Sequence, residues 1–183
     1  MTLTFFHGPM DCGKSTLALQ IDHNQARQGR RGLLLVRHDR SGPARITSRL
    51  GLSRVAIEVT DRMDLRELVA ARVAAGSRVD YVVVDEAQFL APGQIDQLAR
   101  AVDELDLDVY AFGITTDFRT RLFPGSQRLV ELAIHSIADP AQLGELQQAL
   151  RVVGSARHPA HASIFLTTSP LTSVRRKSRP WKR

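Results

Sequence analysis

At 183 residues the chain is sized for one domain, and 43% hydrophobic residues supply a core, which excludes a wholly disordered protein. A single cysteine, Cys12, excludes an internal disulfide and a cysteine-only zinc cage within one chain. The net charge of +6 sits at one end: six Lys or Arg fall in the final "RRKSRPWKR", and taking six from 25 leaves 19 basic residues against 19 acidic ones.

That balance makes the body neutral, so the basic run reads as a solvated tail rather than a nucleic-acid surface. The start "MTLTFF" lacks a basic region followed by a long apolar run, and "LLLV" and "VVV" are too short to span a membrane. A soluble, cytoplasmic protein is the expectation.

In chain order, "LTFF" (3–6) reads as a buried strand, followed by the loop "HGPMDCGKST" (7–16). A helix is expected from about Lys14 to Gln28, with Leu17, Ala18 and Ile21 on one face. Strands follow at 32–36 ("GLLLV") and 55–59 ("VAIEV"), then a helix at 64–76 stopped by Gly76. "YVVVD" (81–85) is a fully buried strand ending in an acid. The segment 95–105 puts Ile95, Leu98, Val102 and Leu105 on one helical stripe. A strand at 108–114 and a helix over "SQRLVELAIHSIA" (126–138) complete the alternation. Strands alternating with helices predict an α/β fold, a parallel sheet with helices on both faces. Two units are expected: a P-loop domain over 1–138 and an atypical C-terminal segment, 139–183, partly disordered and ending in the basic tail.

Three segments carry chemistry. Gly8-Pro9-Met10-Asp11-Cys12-Gly13-Lys14-Ser15 fits the P-loop pattern, with Thr16 next. Its glycines let backbone N–H groups turn around phosphate oxygens, Lys14 reaches the β- and γ-phosphates, and the Ser15 hydroxyl ligates Mg²⁺. Asp11 and Cys12 occupy variable positions, whose side chains are expected to point away from the phosphates. "VVVDEAQF" (82–89) is the second segment: Asp85, at the end of a buried strand, is placed to hold Mg²⁺ through water, and Glu86 to orient or deprotonate a nucleophile. Ala87 and Gln88 complete the expected nucleotide-contacting set. Water as the nucleophile would make an ATPase, and a substrate hydroxyl a kinase. "DEAQ" looks superficially like the acid box of helicases, but those need two such domains and this chain has room for one.

The third segment, "FGITTDFRTRLFPGSQRL" (112–129), makes the match specific. "GPM-x-x-GKST", "DEAQF" and "G-x-x-x-DFR-x-x-x-FPGS", in that order, resemble the type II thymidine kinases, P-loop deoxynucleoside kinases, over roughly residues 3 to 133. The resemblance implies a RecA-like domain that transfers the γ-phosphate of ATP, with Mg²⁺, to the 5′-hydroxyl of thymidine. By the same resemblance Glu86 is the general base, with Lys14 and Arg40 as further catalytic residues. Met10, Phe89 and Phe118 match apolar positions around the base, and Ser15 and Asp85 serve the metal. Arg119 and Arg121 face either phosphates or solvent. An acid commonly stands two positions before the arginine matched by Arg40; here it is His38, with Asp39 adjacent.

The resemblance also implies a tetramer and a C-terminal zinc unit carrying a lasso that closes over thymidine. Here the sequence departs: after "RLVELA" (128–133) comes no cysteine, and His135, His158 and His161 are scattered, so no zinc is expected. No Asp or Glu follows Glu145. A shifted reading frame or truncated gene copy, which that change of composition favours, or a variant with a different lid fits the break. Without a lasso the pocket stays open to water, so the expectation is ATP binding with slow thymidine transfer. The alternatives are a P-loop ATPase and a non-catalytic nucleotide-binding protein.

Overall fold

The computed structural model describes residues 1–37 and 43–137. Within them, β1 (Leu3–His7), β2 (Gly32–Val36), β5 (Ile57–Glu58), β6 (Tyr81–Asp85), β7 (Asp108–Gly113) and β8 (His135–Ile137) form one sheet. Its order is β5-β2-β6-β7-β1-β8, and every pairing is parallel. Strand β7 therefore lies between β1, which leads into the P-loop, and β6, which ends in Asp85. This is the α/β architecture, a parallel sheet with helices on both faces, that the alternating pattern predicts.

The pleat decides which helix each strand residue meets. Leu3 and Phe5 on β1, and Val82 and Val84 on β6, pack in one cluster with Leu65 and Val69 of α2 (Leu65–Ala74), Ile95 and Leu98 of α3 (Pro92–Leu105) and Leu129 of α4 (Pro124–Leu132). Phe6, Tyr81 and Val83 point the other way, onto Leu17, Ala18 and Ile21 of α1 (Lys14–Arg27). With both faces covered, the central strands read as unbroken apolar runs rather than alternating ones.

Two expectations need correction. The helix expected over 126–138 ends at Leu132: Ala133 is extended, the Ile134 N–H donates to the Leu3 carbonyl at 3.0 Å, and 135–137 pair with β1 as an added parallel strand. The chain gains ladder hydrogen bonds on the open side of β1 that a longer helix would forgo. The strand expected at 55–59 is divided. Ser53–Val55 is β4, which forms an antiparallel hairpin with β3 (Arg45–Thr47), while Ile57–Glu58 is β5 of the main sheet. Between them the Ala56 N–H donates to the Ala44 carbonyl at 3.0 Å, which turns the chain from one sheet into the other.

Arg40 and His38 lie outside the described residues, as does the segment 139–183 with its basic tail, His158 and His161. Among the described residues, no helix is long and apolar enough to cross a membrane.

Candidate active site

The site forms where β1, β6 and β7 end on the same edge of the sheet. After His7 the chain turns through Gly8–Gly13, with Asp11 at φ 68° and Gly13 at φ 88°, and enters α1 at Lys14. The first turn of α1 thus points its N–H groups and positive dipole end into the loop, the arrangement that receives anions. Lys14 Nζ curls over this loop and donates to the carbonyls of Pro9 (2.7 Å) and Gly8 (3.1 Å).

Asp11 is exposed at the turn of the loop, its side chain 53% accessible. Cys12 Sγ lies 3.6 Å from Lys14 Nζ, and its half-buried side chain packs on the α1-side core. The thiol fills the space beneath the turn.

Asp85 ends β6 and is 6% exposed. Its Oδ1 accepts the Glu86 N–H at 3.0 Å, and its carboxylate also accepts the Ser15 hydroxyl. Burial pushes its carboxyl above the usual carboxylate range, with the adjacent Glu86 charge adding to the rise and the Ser15 hydrogen bond opposing it. Ser15 and Asp85 together offer hard oxygen ligands in contact, the donor chemistry of Mg²⁺. Among the described residues there is no cluster of three or more His, Cys, Asp or Glu that could hold a metal ion.

Glu86 adopts a left-handed conformation at φ 55°, ψ 37°, uncommon for a residue with a side chain and a feature that gathers at functional sites. That twist breaks β6 and starts the single helical turn Ala87–Phe89, leaving the Glu86 carboxylate exposed above a buried acid. Gln88, 3% exposed, braces it: Nε2 donates to Glu86 Oε2 at 2.5 Å, while Oε1 accepts the Ile114 N–H at 3.2 Å. The end of β7 therefore reaches Glu86 through one amide. Glycine at 113 makes room for this, since a Cβ there would lie 2.6 Å from Gln88 Oε1. Gly125 has the same role at the start of α4, where a Cβ would come within 2.5 Å of the Leu90 carbonyl.

Beside the P-loop lies an open cleft of about 630 Å³. Gly8, Pro9 and Met10 form one wall, and Thr115, Phe118 and Phe123 face it. The Phe118 loop is held by Asp117, whose Oδ1 accepts the N–H groups of Arg119 (2.8 Å) and Arg121 (3.0 Å). Arg119 stacks its guanidinium 5.2 Å from the Phe118 ring centre. Of the expected base-contacting residues, Met10 and Phe118 share this cleft, whereas Phe89 is outside its lining and lies edge-on to Phe123 at 5.5 Å. Phe123 and Asp117 are absent from the expected set, although both lie within the motif "DFR-x-x-x-FPGS". The available signal was an aromatic residue just before the Pro-Gly start of a helix.

Residues 1–138 match the family model described as thymidine kinase. The chain is 65% identical over 131 residues to a protein named thymidine kinase from Streptomyces coelicolor, covering 72% of this chain and 61% of that protein. To one so named from Cutibacterium acnes it is 60% identical over 138 residues, covering 75% and 64%. The chain thus spans about three fifths of the length of the curated relatives it matches. A solved structure titled for DNA unwinding by two Pif1 helicases aligns with a TM-score of 0.40 at 12% identity, over 75% of this chain and 39% of the other, a likeness too slight to bear on chemistry. With 138 of its 183 residues inside that family match, the chain belongs to the thymidine kinase family.

Proposed function

We propose that the chain is an ATP-dependent thymidine kinase, a phosphotransferase with an alcohol acceptor that acts in salvage of a DNA precursor. The observation that carries this reading is that the P-loop is itself a wall of the apolar cleft: Gly8, Pro9 and Met10 face Thr115 and Phe118. A phosphate cradle that borders a slot for a planar ring suits a reaction joining ATP to a nucleoside. The family match, and thymidine kinase as the name of its relatives, support thymidine as the acceptor.

In this reading, Lys14, the backbone of Gly8–Gly13 and Thr16 bind the ATP phosphates, with Ala87 and Gln88 at the edge of the nucleotide site. Ser15 and Asp85 are the residues that would hold Mg²⁺, which when bound neutralises charge on the transferring phosphate. Glu86 takes the proton of the 5′-hydroxyl as that oxygen attacks the γ-phosphorus, whose bond to the bridging oxygen breaks, and ADP departs. Met10 and Phe118 flank the base, with Phe89 supporting that wall through Phe123. Arg40 is assigned as a further catalytic residue by family resemblance. The kinase domain spans 1–138, in accord with the extent of the family match, and the tetramer implied by resemblance is tested by light scattering.

ADP formation with Mg²⁺ and ATP, in the presence and absence of thymidine, tests the proposal. Thymidine-dependent ADP and thymidine monophosphate are the expected products. Equal ADP formation without thymidine would replace the kinase by an ATPase, and no ADP at all would leave a nucleotide-binding protein. A rate within roughly 1 to 100 per second, typical of kinases, would mean that the sequence after 138 supplies a working lid.

A further inference from the structure

Asp11 sets an electrostatic problem within the P-loop. A carboxylate at the turn of a phosphate cradle repels the polyanion that the cradle accepts, and nothing else in the loop is placed to cancel it: Lys14 is directed at Gly8, Pro9 and Cys12. The compensating charge comes from another element. Arg49 Nη2 lies 2.5 Å from Asp11 Oδ1, and Arg49 sits in the turn of the β3–β4 hairpin.

That turn is firmly made. The Ser48 N–H donates to the Leu52 carbonyl (2.8 Å), the Leu52 N–H to Ser48 Oγ (3.2 Å), and Gly51 takes φ 81°. The hairpin is seated on α1 by Ile46, fully buried in the α1-side core, and by Arg54, whose Nε lies 3.7 Å from Asp22 Oδ2. Arg49 is therefore carried to the P-loop by a body that is anchored elsewhere. The side chains of Arg49 and Asp11 are 77% and 53% exposed, and pairs so wet add little to fold stability. Their consequence falls on what the loop binds.

We infer that Arg49 is a positioning residue for nucleotide binding: by neutralising Asp11 from the β3–β4 hairpin, it lets the P-loop accept the ATP phosphates. This rests on the nucleotide reading above. The inference makes the hairpin part of the phosphate site, although Arg49 acts through Asp11 rather than on the phosphates.

The experiment is equilibrium titration of the full chain with a fluorescent ATP analogue, for the unsubstituted protein, Arg49→Ala, Arg49→Lys and the double variant Asp11→Asn/Arg49→Ala. Removing Arg49 leaves the Asp11 charge bare, so Arg49→Ala should weaken ATP by about tenfold. The loss should shrink in high salt and diminish from ATP to ADP to AMP, trends that a merely displaced loop would not produce. Arg49→Lys should stay within about threefold of the unsubstituted protein, and the double variant should recover to a similar level. A double variant as weak as Arg49→Ala overturns the inference, because Arg49 then acts on the phosphates or on folding. Arg49→Ala equal to the unsubstituted protein overturns it as well. If the unsubstituted protein binds no ATP, the nucleotide reading falls and takes this inference with it, a result visible before any variant is compared.

Discussion

The two walls of the candidate site are built from different material. On the phosphate side, Asp85 is 6% and Gln88 3% exposed, and each bonds to a neighbouring residue or strand end. On the cleft side, Met10 is 78% and Phe118 90% exposed, both carried by loops. The charged chemistry is thus set by the sheet, where a displaced atom disturbs packing. The apolar wall is set by turns, where a side chain can be removed without disturbing the core. Substitutions on the first wall should alter turnover or stability, and those on the second should alter substrate binding alone.

The largest effect should come from Glu86→Gln. Loss of the proposed base should lower thymidine phosphorylation by roughly 10²- to 10⁴-fold, with ATP affinity retained by titration; undiminished turnover would remove Glu86 from the reaction. Next comes Gly113→Ala, which drives a Cβ against Gln88 Oε1. Overpacking of this kind costs about 1–3 kcal/mol in urea unfolding, and kcat should fall too as the brace on Glu86 shifts. A neutral result would mean that the two walls are not so differently held.

Phe118→Ala tests the other side. Its near-complete exposure predicts a stability change within about 0.5 kcal/mol, while the thymidine KM should rise by roughly fivefold, the value of about 1 kcal/mol of ring contact. A lowered unfolding midpoint would show that the loop wall is structural after all.

The smallest effect is a gain. Burial raises the Asp85 carboxyl, so the folded state favours the protonated acid. The associated stability is full below the ordinary carboxylate value and is lost as pH rises through the folded one. At neutral pH the ionised acid therefore costs the apo fold stability. Asp85→Asn should raise the thermal midpoint by a few degrees, roughly the equivalent of 1 kcal/mol or less, at pH 7.5 but not at pH 4. A midpoint unchanged at both pH values would contradict the burial argument.

Much of the phosphate wall was legible in the sequence, because its signals are local. "GPMDCGKST" fixes a turn and a helix start, and "YVVVDE" fixes a buried strand with acids at its end. Both depend on neighbours within a few positions. The cleft wall was legible only in part. Met10 and Phe118 line the cleft, whereas Phe89, expected beside them, stands against Phe123. The helical turn Ala87–Phe89 set this, and the left-handed Glu86 that starts it leaves no trace in apolar periodicity.

The same limit explains the other misses. "AIHSIA" has apolar spacing that suits a helix, yet an unpaired edge of β1 captures it as β8, and strand pairing over such a separation cannot be read from local pattern. Arg49 had no local signal at all: an arginine in a polar turn acquires a role only when the hairpin brings it to Asp11. The sequence by itself determined the alternation of strands and helices, the P-loop and the acid pair, because these follow from spacing and burial along the chain. Tertiary structure alone decided that Gln88 braces Glu86, that β8 adds to the sheet beside β1, and that the charge on Asp11 is met from another element. Those outcomes depend on contacts between distant segments, whose energies local composition does not encode.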